Sequence, residues 1–168
     1  MQTGSAPWLD ALEQEAELLR RRIGVSTLSL SWLNAETQEL QTVVNVGTLH
    51  ERAEVRPETE VYSLALYPTA ASGLRRRHPY LAGPDDAGDR RLLELGHRLG
   101  KQTQAGAPLI IGDAVWGEFW VASVPGDLPL RRSELPLVTW AAATLAHEGR
   151  RSPRPRAAGL GRTAAALV

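Results

Sequence analysis

The residues of this chain that could do chemistry are few and scattered. His50 and His147 are each followed by a glutamate, but neither has a second histidine at a spacing that would hold a metal ion. His78 and His97 stand singly, and no serine lies in the strand-to-helix pattern of a hydrolase nucleophile. We therefore predict no catalytic residue and no metal site, and we expect a protein that is not an enzyme.

Composition removes further kinds of chemistry. The 168-residue chain contains no cysteine, which excludes disulfides, thiolate metal ligands, a cysteine nucleophile and thioether attachment of a cofactor. The glycines Gly159 and Gly161 follow no strand and open no helix, so they do not indicate a phosphate-binding loop. The sequence does not identify a cofactor.

One acidic residue interrupts an apolar strand. Glu118 lies two positions from both Trp116 and Trp120, so regular strand alternation places all three side chains on one face. Core packing explains an acid in such a position poorly, and the carboxylate could receive a cationic or hydroxylated ligand. The alternatives are a solvated strand face or an ion pair with a nearby arginine.

Length and charge favour one soluble domain. With 43% hydrophobic residues the chain can bury a single core. Because no apolar run approaches the length of a membrane span and no secretory signal begins the sequence, we expect a cytoplasmic protein with no membrane contact. The 19 basic residues balance 19 acidic ones, so there is no overall basic field and nucleic acid is a disfavoured partner.

The elements that position these residues begin with a helix. Ser5 is a candidate N-cap, and apolar residues recur at spacings of three and four over residues 8–23. Residues 25–34 alternate between apolar and polar, which predicts a half-buried strand, and 40–47 predicts its partner in a hairpin.

The middle of the chain is more irregular. Polar residues 48–60 predict a loop, and 61–66 predict a short extended segment. Pro68 opens a short helix, residues 80–82 form a brief strand, and Asp89 is a candidate cap for the next helix.

The last third contains a hairpin and a helix. Apolar residues around Gly112-Asp113 predict two strands joined by a tight turn. Ser133 is a candidate N-cap for a helix that ends near Arg150. Residues 151–168 are basic and lack periodicity, so we predict a domain over 1–150 followed by a disordered tail.

This order of elements resembles that of GAF domains, small α/β modules that mostly sense ligands or bring proteins together. The residues that carry the resemblance are Pro108-Leu109, Gly112, Val115-Trp116-Gly117, Phe119 and Val121 in the final hairpin, Tyr67-Pro68 and Arg77-His78-Pro79 in the middle, and the turn Gly83-Pro84-Asp85-Asp86. The resemblance covers residues 8–150. It implies an α/β (α+β) fold in which the terminal helices pack on one face of a central antiparallel sheet of five or six strands, and the irregular helical segment covers the other.

The ligands and activities of particular GAF branches do not transfer to this chain. The motif set of the cyclic-nucleotide branch cannot be placed in the sequence. The bilin-binding branch generally attaches its chromophore through cysteine, and the methionine-sulfoxide-reducing branch also needs cysteine chemistry, which this chain lacks.

The resemblance also implies where a ligand would lie, because related GAF domains can enclose a pocket between the sheet and the irregular segment. The residues implied for its wall are Ser29, Ser31, Tyr62, Tyr67, Tyr80, Asp85, Asp86, Thr103, Glu118 and Trp120. Aromatic rings with a few polar groups are typical of small-ligand pockets. Alternatively, the tyrosines are packing residues and the two aspartates only form a turn.

Two functions follow from these patterns. The first is a small-molecule sensor that forms a homodimer through its terminal helices and signals to a separate output protein. The second is a dimerisation or protein-interaction module without a ligand. Exposed Trp8 and Trp140 on those helices would mark the interface.

Overall fold

The computed structural model describes residues 7–84 and 89–151. Its elements are α1 (Pro7–Ile23), β1 (Thr27–Asn34), β2 (Glu39–Gly47), β3 (Val61–Ser63), α2 (Pro68–Arg76), β4 (Tyr80–Ala82), α3 (Arg90–Arg98), β5 (Thr103–Ile111), β6 (Ala114–Ser123) and α4 (Leu135–Arg151), with single 3-10 turns at Leu64–Leu66 and Arg132–Glu134. The cap predicted at Ser5 lies outside the described residues, as does the tail predicted over 151–168 except for Arg151, which belongs to α4.

The six strands form one sheet in the order β3-β2-β1-β6-β5-β4, and every neighbouring pair is antiparallel. The long strands β1, β2, β5 and β6 come from the two predicted hairpins, and β1 joins them by pairing with β6. The predicted α+β fold is confirmed. Within the described part of the chain, no helix is long and apolar enough to cross a membrane.

The helices α1 and α4 pack together on one face of the sheet, as the sequence predicted. Small residues, Ala16 on α1 and Ala141 on α4, are fully buried there and allow a close approach to the strands. Phe119 and Val121 of β6 lie beneath them with no exposed surface. The two helices and the sheet thus enclose the larger of two hydrophobic cores.

The other sheet face is covered by α2, α3 and the 3-10 turn that precedes α2. Asp89 holds this cover together, because its carboxylate accepts from the backbone N of Leu92 at 3.1 Å and from that of Thr69 at 3.1 Å. The predicted N-cap of α3 is therefore confirmed, and it also fixes the start of α2 beside the start of α3. Covered on both faces, β1 is fully buried over residues 27–31 instead of half-buried.

A bulge in the final hairpin corrects one prediction. Leu109 pairs with Gly117 while Ile110 pairs with Val115, so Trp116 is an extra residue on β6. Trp116 consequently packs against the core beneath α1 and α4, whereas Trp120 packs on the opposite face. The prediction that Glu118 shares a strand face with both tryptophans is wrong for Trp116, because a bulge reverses the alternation.

Candidate functional site

A small cavity lies between the sheet and the helices α2 and α3. Its volume is about 40 Å³. The lining residues are Ser29, Ser31, Leu40, Thr42, Glu60, Tyr62, Leu64, Tyr67, Ala70, Tyr80, Leu92, Leu95, Leu99, Glu118 and Trp120. A space of this size holds about three water molecules.

Glu118 is the most deeply buried charged group of the wall, with only 5% of its surface exposed. Its Oε1 accepts a hydrogen bond of 2.8 Å from the hydroxyl of Tyr80. Burial raises the pKa of Glu118 to about 7, although the hydrogen bond from Tyr80 opposes the rise. Both alternatives considered from the sequence are wrong, since the strand face is not solvated and the partner of the carboxylate is a tyrosine.

Tyr80 reaches Glu118 because Gly106 leaves room for its ring. Tyr80 lies on β4 and pairs with Gly106 on β5, the strand that separates β4 from β6. A Cβ atom at Gly106 would collide with the ring and hydroxyl of Tyr80. Burial and the neighbouring carboxylate raise the pKa of Tyr80 well above its ordinary value, so its hydroxyl stays a donor.

A second carboxylate, that of Glu60, lines the cavity from the loop before β3. Its Oε1 accepts from Tyr62 at 2.8 Å and from Thr42 at 2.9 Å, and its Oε2 accepts from Asn45 at 3.1 Å. Burial and the charge of Glu60 raise the pKa of Tyr62. Each carboxylate of the wall is thus fixed by a tyrosine.

A band of polar side chains crosses the cavity floor between the two carboxylates. Ser31 of β1 pairs with Thr42 of β2 on one side and with Glu118 of β6 on the other. The hydroxyl oxygens of Ser31 and Thr42 are 3.4 Å apart, and Thr42 donates in turn to Glu60. The band therefore continues from β6 to the loop at the far side of β2.

Aromatic rings form much of the remaining wall. All three tyrosines of the chain line the cavity, together with Trp120. Tyr62 and Tyr67 meet edge to face, with ring centroids 6.2 Å apart and ring planes at 76°. Rings at such angles present both a face and an edge to neighbouring space.

Lys101 lies near this network without lining the cavity. It is 7% exposed, and no carboxylate of the described residues lies within 4 Å of its ammonium group. Burial lowers the pKa of Lys101 to about 8, while the charge of Glu60 opposes the shift. Because Lys101 is the chain's single lysine, only its rarity could have singled it out in the sequence.

Most of the residues that the resemblance implied lie together. The ones that line the cavity are Ser29, Ser31, Tyr62, Tyr67, Tyr80, Glu118 and Trp120. Thr103 does not, because it shares with Ala105 the strand face beneath α4, where its hydroxyl contacts that of Ser123 at 2.6 Å. Asp85 and Asp86 lie outside the described residues. Sequence reasoning missed Glu60, which stands in a polar loop with no periodic pattern.

Comparison with solved structures gives extensive matches at low identity. A red/green cyanobacteriochrome in its red light-absorbing state matches with a TM-score of 0.69 and 13% identity, over 85% of this chain and 94% of that chain. The blue-light absorbing form of the Thermosynechococcus elongatus PixJ GAF domain matches with a TM-score of 0.63 and 14% identity, over 97% and 96%. This chain has the GAF fold.

A third GAF-like match is the far-red absorbing dark state of a protein with bound biliverdin IXa, with a TM-score of 0.68 and 11% identity, over 86% of this chain and 90% of that chain. Neither a family model nor a curated protein sequence matches this chain. The three structural matches confirm the GAF resemblance for the fold.

Proposed function

We propose that this protein is a non-catalytic, small-molecule-sensing GAF domain that regulates through dimer or partner contacts. The observation that carries the proposal is the buried carboxylate of Glu118 on the wall of a cavity. Its Oε2 has no hydrogen-bond partner among the described residues. A buried charged group with an unused acceptor is costly for a fold to keep, and a ligand that satisfies it would offset that cost.

The ligand of this sensor is compact. One structure with a similar fold contains biliverdin. Here the cavity of about 40 Å³ is too small for a tetrapyrrole, and the chain has no cysteine to attach one. We therefore do not transfer bilin binding to this protein.

Strand β6 supports a route from the cavity to the terminal helices. Glu118 and Trp120 face the cavity, while Phe119 and Val121 between them pack beneath α1 and α4. Because successive side chains of a strand point to opposite faces, a ligand that displaces β6 also changes the packing under both helices. The expected output is a changed helix arrangement in a homodimer or against a separate protein.

A second function, a dimerisation module without a ligand, is favoured by a different observation. Trp140 of α4 is 41% exposed, and Leu18 of α1 and Leu137 of α4 are also exposed. Large apolar side chains on the outer faces of adjacent helices are typical of an interface. Trp8 is only half-buried by its own domain and could extend the same surface.

Native mass spectrometry of protein purified from its own cells distinguishes the two functions. A retained small molecule that disappears in Glu118→Gln but not in the control Glu94→Gln supports the sensor, because Glu94 lies on the exposed side of α3. A dimer that retains no small molecule would instead favour the interaction module.

A further inference from the structure

We infer that the ligand of this cavity is a compact organic cation, held in an aromatic cage between the carboxylates of Glu118 and Glu60. This inference rests on the proposed sensing function and names the ligand class. The cage consists of Trp120, Tyr62, Tyr67 and Tyr80.

The charge of the wall selects a cation. Glu118 and Glu60 both line the cavity, and none of the described residues that line it is a lysine, arginine or histidine. Two carboxylates in a largely apolar enclosure give a negative potential that solvent screens poorly. An anionic ligand would be repelled from both ends of the polar band.

The hydrogen bonds of the wall consume most of its hydroxyl donors and leave acceptors. The hydroxyls of Tyr80 and Tyr62 donate to Glu118 and Glu60, and Thr42 also donates to Glu60. Since the hydroxyl hydrogen of Thr42 is committed, Ser31 is the donor in the contact between them.

Ser29 continues this pattern by donating to the side-chain oxygen of Asn45 at 2.5 Å. What remains for a ligand is the free Oε2 of Glu118, the hydroxyl lone pairs, and the hydroxyl of Tyr67, which makes no hydrogen bond to another described residue. The wall thus suits a ligand that donates hydrogen bonds or carries positive charge.

The aromatic rings supply the second kind of attraction. The face of a tryptophan or tyrosine ring attracts a cation, and several rings at steep angles surround a methylated ammonium group. Tyr62 and Tyr67, with ring planes at 76°, provide two sides of such a cage, and Trp120 and Tyr80 come from the sheet.

The cavity volume limits the ligand to a few heavy atoms. About 40 Å³ suits a group of up to about three heavy atoms, such as methylammonium. A longer ligand would place this group in the cage and would need α2 or α3 to move.

Matched probes test the inference. Methylammonium and methanol have two heavy atoms each and nearly the same size, but only the first is charged. We expect calorimetry at pH 8 to show at least about tenfold tighter binding of methylammonium, with NMR shift changes at the Trp120 indole, because a desolvated cation–aromatic contact and an ion pair are both lost with the charge.

Variants locate the binding. Glu118→Gln and Glu60→Gln should each weaken methylammonium binding about fivefold or more, since each removes one charged acceptor of the wall. Glu94→Gln, on the exposed side of α3, should leave the affinity unchanged. Because Glu60 is only partly buried, its variant keeps the test valid if Glu118→Gln folds poorly.

Equal affinity for methanol, or tighter binding of acetate, would overturn the cation inference and leave the sensor function intact. Absence of methylammonium binding at millimolar concentration would also overturn it. If the protein from its own cells in addition retains no small molecule, the proposed sensing function fails as well.

Discussion

The side chain of Tyr80 on the edge strand β4 reaches across the intervening strand β5, and its hydroxyl donates a hydrogen bond of 2.8 Å to Glu118 on β6. This bond crosses a strand because Gly106 on β5 has no side chain. These three residues therefore shape the cavity wall, and the bond from Tyr80 favours the ionised form of Glu118 against the larger effect of burial on its pKa.

Gly106→Ala should destabilise the protein and displace the ring of Tyr80. The added methyl group would occupy the position of the ring, and forcing extra volume into a packed site costs about 1–3 kcal/mol. Urea unfolding measures the loss of the free energy of unfolding. In the background of Tyr80→Ala the penalty should be smaller, and an equal penalty in both backgrounds would contradict the proposed collision.

Tyr80→Phe should raise the pKa of Glu118 above about 7, because the lost hydrogen bond stabilises the ionised carboxylate in the parent protein. NMR titration of the glutamate carboxyl carbons measures this shift. The matched control is Tyr62→Phe, which removes the equivalent bond to Glu60. A Glu118 pKa that is the same in the parent and in Tyr80→Phe would show that the hydroxyl does not act on the carboxylate.

The terminal helices and the long hairpins were predictable because their patterns are local. The apolar spacing over 8–23 indicates a helix with one buried stripe, and Ala16 and Leu19 of that stripe are indeed buried. The turn at Gly112-Asp113 likewise predicts the pairing of β5 with β6. Neither inference needs knowledge of distant parts of the chain.

The site was less predictable, because the errors in its prediction come from strand register and from contacts between distant parts of the chain. A bulge that no local rule announces turns Trp116 away from Glu118. The GAF resemblance implies Thr103 for the cavity wall, yet this residue faces α4. Glu60 joins the site only because its loop returns beside Thr42, a contact that depends on the tertiary fold.

Glu118 should make the protein less stable as pH rises. Burial raises the pKa of Glu118 from 4.5 to about 7, so between these values the folded state binds a proton that the unfolded state has lost. The stabilising contribution is complete below pH 4.5 and is lost as pH rises through about 7. The loss is on the order of 3 kcal/mol.

Glu118→Gln isolates this contribution because glutamine does not titrate. Urea unfolding at pH 5 and pH 8 should show that parent stability falls relative to the variant as pH rises. Glu17 is unaffected by the substitution, and its pKa, lowered to about 2 by its hydrogen bonds to Arg20 and Arg21, matters only at more acidic pH. Identical pH dependence of parent and variant would show that Glu118 does not titrate in this range.

The ligand affinity should change with pH in the opposite direction. A cation binds the ionised form of Glu118, so methylammonium affinity should increase up to about pH 7 and then level off, by at most about tenfold per pH unit. Calorimetry in buffers of different ionisation enthalpy would also report the released proton. An affinity that is independent of pH between 5 and 8 would contradict direct contact between the cation and this carboxylate.

Trp140→Glu should convert a homodimer into a monomer. The indole of Trp140 is 41% exposed on α4, and the guanidinium of Arg22 from α1 lies 4.9 Å from its ring centroid, so this tryptophan joins the two terminal helices at their outer surface. Burying a tryptophan at the centre of an interface commonly contributes at least about 2 kcal/mol, and a glutamate there would remove this apolar contact and add a charge that has to be desolvated.

Light scattering at tens of micromolar measures the mass of the parent and of Trp140→Glu. Leu128→Glu is the matched control, because Leu128 is 86% exposed in the loop before α4 and lies outside both helices. We expect a dimer for the parent and for Leu128→Glu, and a monomer for Trp140→Glu. A monomeric parent, or a dimer that survives Trp140→Glu, would remove the terminal helices as the interface and leave contact with a separate protein as the route by which the cavity acts.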